Sequence, residues 1–83
     1  MNIDKMTELK QVAIIRFVCF DEDKLIRHYM READITPPSD PVIFAAGIYK
    51  ACVLSVNMAK WIKDVARLKW AGLGLDPKII DKL

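Results

Sequence analysis

The chain has 83 residues, with 13 basic and 11 acidic side chains and a formal net charge of +2. This length accommodates one domain, and a domain of this size buries only about 60% of its unfolded surface, so association with a partner or a second copy is expected. Hydrophobic residues make up 53% of the chain. The composition therefore excludes a disordered tail, a disulfide scaffold and a strongly basic nucleic-acid-binding tail.

The two cysteines, Cys19 and Cys52, lie within apolar runs and form no C-x-x-C pair. We interpret both as buried, reduced thiols, which fits a reducing compartment and predicts a cytoplasmic protein. The first ten residues mix acidic and basic side chains and lack the apolar core of a secretory signal.

The N-terminal part of the chain, residues 1–33, is predicted to form a pair of helices. Apolar residues recur at helical spacing over residues 4–20, although residues 12–20 also have the β-branched and aromatic composition of a buried strand. No second strand of similar quality is present to pair with it, except from a partner chain, so we predict a helix. A second amphipathic helix covers residues 24–33, with Asp21 as the expected N-cap.

Residues 34–40 form a proline-rich connector that separates this pair from the C-terminal part. Asp40 followed by Pro41 predicts a helix start, because Asp caps a helix and Pro suits its first position. The same two residues recur at Asp76–Pro77 and predict a short terminal helix through Lys82.

No proline interrupts residues 42–70, and Gly72 and Gly74 follow as a helix stop. A continuous helix over residues 41–70 would be about 45 Å long, whereas a compact chain of this length is about 30 Å across. The helix must therefore break, protrude or lie against another molecule. The stretch with the weakest helix propensity, and the best candidate for a break, is Ser55–Asn57.

Residues 41–59 are apolar on almost every side, and Lys50 is the one charged residue among them. Small residues lie four apart on one face, at Gly47, Ala51 and Ser55, a spacing that allows two helices to approach closely. Three interpretations remain: the central helix of a bundle, a helix face that binds a partner or a second copy, or a single membrane span. Against the span, a charge near its middle costs about 2.5–3.5 kcal/mol.

The segment 60–70 combines basic and aromatic side chains. On a helix, one apolar face is predicted to contain Trp61, Ile62, Val65 and Leu68. The basic side chains are expected to form a surface that contacts an acidic protein or phosphates, or that is simply solvated. That basic surface consists of Lys60, Lys63, Arg67 and Lys69.

Few residues suit catalysis or metal binding. The chain has one histidine, so no catalytic triad is apparent, and Asp21–Asp23 lacks the glycine of a calcium loop. We therefore predict no catalytic residues, no metal and no cofactor.

These observations predict an all-α protein that forms a single domain, 1–83. The predicted fold is a small helical bundle of three main helices plus a short C-terminal helix. The third helix, in segment 41–83, is predicted to be long and apolar. The predicted function is a non-enzymatic interaction protein (an adaptor, inhibitor or accessory subunit) that uses helix 41–70 to bind a protein partner or to self-associate. The alternatives are a membrane accessory subunit with residues 41–59 in the bilayer and its basic C-terminal side toward the cytoplasm, and a nucleic-acid-associated regulator that uses residues 60–70. The expected partner-binding residues are Gly47, Tyr49, Ala51, Ser55, Trp61, Arg67 and Trp70.

Overall fold

A computed structural model describes residues 2–80 of the chain, with side chains from Lys5 onward. It contains four helices, and no strand occurs within residues 2–80. The predicted all-α bundle is therefore confirmed, and residues 12–20 belong to a helix. The helices are α1 (Asn2–Phe20), α2 (Lys24–Glu32), α3 (Pro41–Leu54) and α4 (Lys60–Gly72).

A tight reversal joins α1 to α2. Asp21 closes α1 in the left-handed backbone conformation, with φ 56°, and its amide donates to the Phe17 carbonyl. The chain reverses direction over the two residues after Asp21, so the N-cap of α2 is Asp23 and the predicted cap at Asp21 is wrong. The Asp23 carboxylate makes no capping bond and instead accepts from Arg27 Nε at 2.7 Å, which lowers the pKa of Asp23.

The start of α3 is the one that the sequence predicts. The Asp40 carboxylate accepts from the amides of Val42, at 2.8 Å, and Ile43, at 3.4 Å, and Pro41 occupies the first helical position. The cap therefore satisfies two amides that have no partner within the helix.

The predicted long third helix is two helices in the structure. α3 ends at Leu54 and α4 begins at Lys60, so the break falls at residues 55–59 and includes Ser55–Asn57. The longest dimension of the molecule is 37 Å, too short for a continuous helix of about 45 Å. α4 folds back against α3 and ends at Gly72, before Gly74 at φ 86°.

The membrane alternative placed residues 41–59 in one spanning helix, whereas α3 contains only 14 residues. Within residues 2–80, no helix is both long enough and apolar enough to cross a bilayer.

The predicted C-terminal helix falls partly outside the described residues: residues 77–79 form a turn, Ile80 has 3₁₀ geometry, and residues 81–83 lie beyond the described part. The Asp76 carboxylate nevertheless caps this turn by accepting from the Lys78 amide at 2.9 Å. The indole of Trp70 donates to the Asp76 carbonyl at 2.8 Å, and Ile80 is fully buried. The Trp70 bond and the burial of Ile80 therefore tie this segment to the core.

The core contains only hydrophobic side chains among the described residues. α1 contacts each of the other helices, and the ring of Phe17 packs against those of Phe44 and Tyr49, with both centroid distances at 5.7 Å. The largest fully buried side chains are Ile14, Val18, Cys52 and Ile80.

We expect Asp40→Ala to lower the free energy of unfolding by about 1 kcal/mol, because two amides of α3 lose their acceptor. Asp40→Asn keeps an acceptor oxygen and should lose less. Urea denaturation of both variants, with the neighbouring Ser39→Ala as control, measures the difference. Equal stability of Asp40→Ala and Ser39→Ala would contradict the cap.

Burial raises the pKa of Cys52 from 9.0 to about 11. Above about pH 9 the unfolded chain releases this proton while the folded chain keeps it, so stability falls as the pH rises toward 11. Between about pH 8 and about pH 10, the natural chain should lose about 1 kcal/mol more than Cys52→Ala. Urea denaturation at the two pH values measures this, and equal losses in the two proteins would rule it out.

Candidate functional site

α3 is apolar on nearly all sides, yet only one of its faces is buried. Its inner face places residues such as Phe44 and Ile48 in the core. On the outer face, Ile43 is 59% exposed and Leu54 is 47% exposed. A surface helix normally carries several charged and polar residues on its outer face, whereas Lys50 is the one charged residue of α3. Lys50 lies on the same face as Ile43 and Leu54, seven residues after the first and four before the second, so this outer face is mostly apolar with a single positive charge.

Three adjoining cavities follow this outer face, and we call them together the α3 groove. One of about 230 Å³ lies on the α1 and α2 side of α3, and one of about 290 Å³ lies on the opposite side, toward Trp70 and Leu75. Ile43 and Gly47 line both cavities. Because Gly47 has no side chain, the ridge between the two cavities is low at this point.

The third and largest cavity, about 440 Å³, extends the groove past the C-terminal end of α3. It shares Ala51 with the cavity on the α1 side and continues to Leu54 and to Val56, which is 91% exposed. The groove therefore follows α3 along most of its length.

Packing within the chain does not require glycine at position 47. A Cβ atom built on Gly47 would meet no atom within 4 Å. Glycine within a helix costs about 0.5–1 kcal/mol relative to alanine. The open space above Gly47 is therefore available to another molecule, and the fold itself gains nothing from the missing side chain.

The charged side chains that line the groove are both positive. Lys10 of α1 lines two of the cavities, and Lys50 of α3 lines the cavity on the opposite side. No acidic side chain of the described residues lines any of the three. Within that same part of the chain, neither lysine has a carboxylate within ion-pair distance.

The structure brings some of the predicted partner-binding residues together and separates others. Gly47, Ala51 and Ser55 all line the groove. Trp70 is buried, but the edge of its side chain lines the groove cavity on the side away from α1. Tyr49 is buried in the core and lines none of the three cavities. Tyr49 lies two positions after Gly47, about 200° around the helix, so the two residues cannot share a face.

α4 presents a second apolar patch, outside the groove. Trp61 is 62% exposed and Leu68 is 75% exposed, and their spacing of seven residues places them on one face. Ile62, which the sequence predicted on this face, is buried together with Ala66. We call Trp61 and Leu68 the α4 patch.

Carboxylates of this chain compensate much of the predicted basic surface. Asp64 pairs with Lys60 at 3.0 Å and with Arg67 at 2.8 Å, and these two cations lower the pKa of Asp64, Lys60 most strongly through its hydrogen bond. Lys69 pairs with Asp21 at 2.9 Å. Lys63 is half-buried. The segment 60–70 therefore presents less positive charge than its sequence suggests.

Metal ligands and reactive groups are sparse. Within the described residues, no three His, Cys, Asp or Glu side chains lie close enough to hold a metal ion. The Cys52 thiol is fully buried, and desolvation holds its pKa near 11, so it is a neutral thiol at neutral pH.

Sequence reasoning missed the groove residues that other elements contribute. They are Lys10 and Ile14 from α1, Ile35 from the connector, and Val56 from the break. Ile35 carried a weak signal, as an aliphatic residue within a polar connector. Nothing in the sequence places α1 beside α3.

Comparison of the chain with protein-family models, with curated proteins and with solved structures gave no match.

We expect Gly47→Ala to raise the free energy of unfolding by about 0.5–1 kcal/mol, because alanine favours the helix and nothing obstructs its side chain. Gly74→Ala should do the opposite, since Gly74 has φ 86°, a conformation that alanine adopts only with strain. Urea denaturation of both variants gives the two signs. A destabilised Gly47→Ala would mean that the fold itself requires this glycine.

Proposed function

We propose that this chain is a non-enzymatic interaction protein that binds a helix of another protein in the α3 groove, as an adaptor, inhibitor or accessory subunit does. The single observation that supports the proposal most strongly is the exposed apolar outer face of α3. Exposed apolar surface of this kind, bordered by polar residues, marks interaction sites in proteins.

The dimensions of the groove suit a helix. From Ile43 to Leu54 the helix axis advances about 16 Å, the length of about three helical turns. A partner helix recognised in this way places apolar anchors at intervals of three or four residues along one face. Gly47 lies between the two ends, where the absence of a side chain permits close approach of the partner backbone.

Binding would bury side chains that are exposed in the isolated chain. Ile43 and Leu54 are each about half exposed, and covering half of such a side chain contributes about 1 kcal/mol. A stable interaction needs several contacts of this size, because association must also offset lost translational and rotational freedom.

The remaining predicted residues take different roles in this proposal. Tyr49 and Trp70 support the groove from the core, since neither is exposed. The α4 patch and the cations Lys60 and Arg67 provide a second, smaller contact for the same partner. An exposed Trp is a common anchor at protein interfaces.

We expect Gly47→Leu to weaken binding of a cellular partner at least about tenfold, because leucine fills the low point of the ridge. Gly72→Leu is the matched control, since a Cβ at Gly72 also meets nothing within 4 Å and Gly72 lines none of the three cavities. Candidates captured by cross-linking in cells are purified, and their affinities for the natural chain and both variants are measured by calorimetry.

Urea denaturation confirms that both leucine variants remain folded. A purified partner that binds all three proteins equally would show that the groove is not its binding site. If that partner instead loses affinity for Trp61→Ala, the main binding surface is the α4 patch, and the proposed groove function is wrong.

A further inference from the structure

The two lysines of the groove lie on opposite sides of its apolar centre. Lys10 lines the two cavities next to α1, and Lys50 lines the cavity next to Trp70 and Leu75. Gly47 lies between these sides and borders both. A helix that occupies the groove therefore has a cation on each flank.

These cations differ from several others on the surface. Arg16, Arg27, Lys60 and Lys69 each pair with a carboxylate of this chain, at distances between 2.7 and 3.7 Å. Within the described residues, the groove offers its lysines no such carboxylate. The positive charge at the groove is thus available to a partner.

We infer that the occupant of the groove is an amphipathic helix of about three turns whose two flanks carry Asp or Glu; this inference rests on the proposed function. Its apolar face covers Gly47 and the exposed aliphatic side chains beside it. Carboxylates on its flanks meet Lys10 and Lys50. Complementary charge of this kind selects the partner and sets its orientation more than it adds affinity.

The largest cavity indicates where one of these carboxylates lies. Beside Lys10 it is lined by neutral polar residues, Gln11 and Asn57 among them. Their side-chain amides can donate hydrogen bonds to a carboxylate that also contacts the ammonium group. One acidic residue of the partner therefore belongs near the end of its helix that lies over Leu54.

A second copy of this chain fits the groove less well. Two copies joined through their α3 grooves by a twofold axis would bring the same lysines of both chains into one interface. With no acidic side chain of the described residues lining the groove, the like charges would remain uncompensated and oppose association.

The test uses a library of helical peptides of about 15 residues with a fixed apolar face and randomised flanks. Peptides are selected on the full chain and counter-selected on Gly47→Leu, so that only groove-dependent binders remain. Affinities of the recovered peptides are then measured for the natural chain and for Lys10→Glu/Lys50→Glu. The control is Lys24→Glu/Lys78→Glu, which makes the same change of charge at two exposed residues that line none of the three cavities.

We expect the recovered peptides to be rich in Asp and Glu on both flanks. The Lys10→Glu/Lys50→Glu variant should bind them at least about tenfold more weakly, and the control variant within about twofold of the natural chain. Peptides with Lys in place of the flanking acids should regain affinity for Lys10→Glu/Lys50→Glu. Circular dichroism verifies that each variant is folded.

Two results would overturn the acidic occupant and leave the proposed function standing. The recovered peptides could have neutral or basic flanks, or their affinity could be unaffected by changing the two lysines. Recovery of no peptide that depends on Gly47 would overturn the proposed function as well. Light scattering that shows a dimer of the natural chain, lost in Gly47→Leu, would assign the groove to a second copy and overturn the acidic helix.

Discussion

The structure depends on one constraint: the elements of residues 2–80 cover only one face of the apolar helix α3. α1 and α4 pack against α3, and together with α2 and the C-terminal turn they complete a core without buried polar side chains among the described residues. No further element of residues 2–80 covers the outer face of α3, where Ile43 and Leu54 stay exposed. Small domains often resolve this shortage of buried surface by association, and the proposed function follows from it.

The sequence predicted the features of the fold that depend on local interactions. Asp40 and Pro41 act within one helical turn, so the start of α3 could be identified from two residues. The sequence predicted a long third helix and left open whether it breaks, but it named Ser55–Asn57 as the weakest stretch, and the structure breaks there. The reversal at Asp21 was missed: Asp21 ends α1 in the left-handed conformation, a termination that its sequence did not signal, and its pairing with Lys69 depends on the fold.

The groove was predictable only in part, for a related reason. The spacing of Gly47, Ala51 and Ser55 is local and identified the correct face of α3. A helix that is apolar on every side has no periodicity to separate its inner face from its outer face, so Tyr49 was assigned to the surface although it is buried. The contribution of Lys10 depends on the packing of α1 beside α3, which the sequence does not encode locally.

An exposed apolar face can lead to indiscriminate association. In the proposed function, Gly47 and the two lysines allow this face to bind one partner selectively. Glycine at position 47 makes α3 less stable than alanine would, and it leaves room for a closely packed helix. In the proposed function, Lys10 and Lys50 would disfavour contact between two copies through the same face, since like charges would meet there. Under the same proposal, an apolar groove bordered by charge of one sign would discriminate against self-association and favour a partner of the opposite charge. In this proposal the loss of stability at Gly47 and the two lysines, which pair with no carboxylate of the described residues, form one arrangement for selective binding.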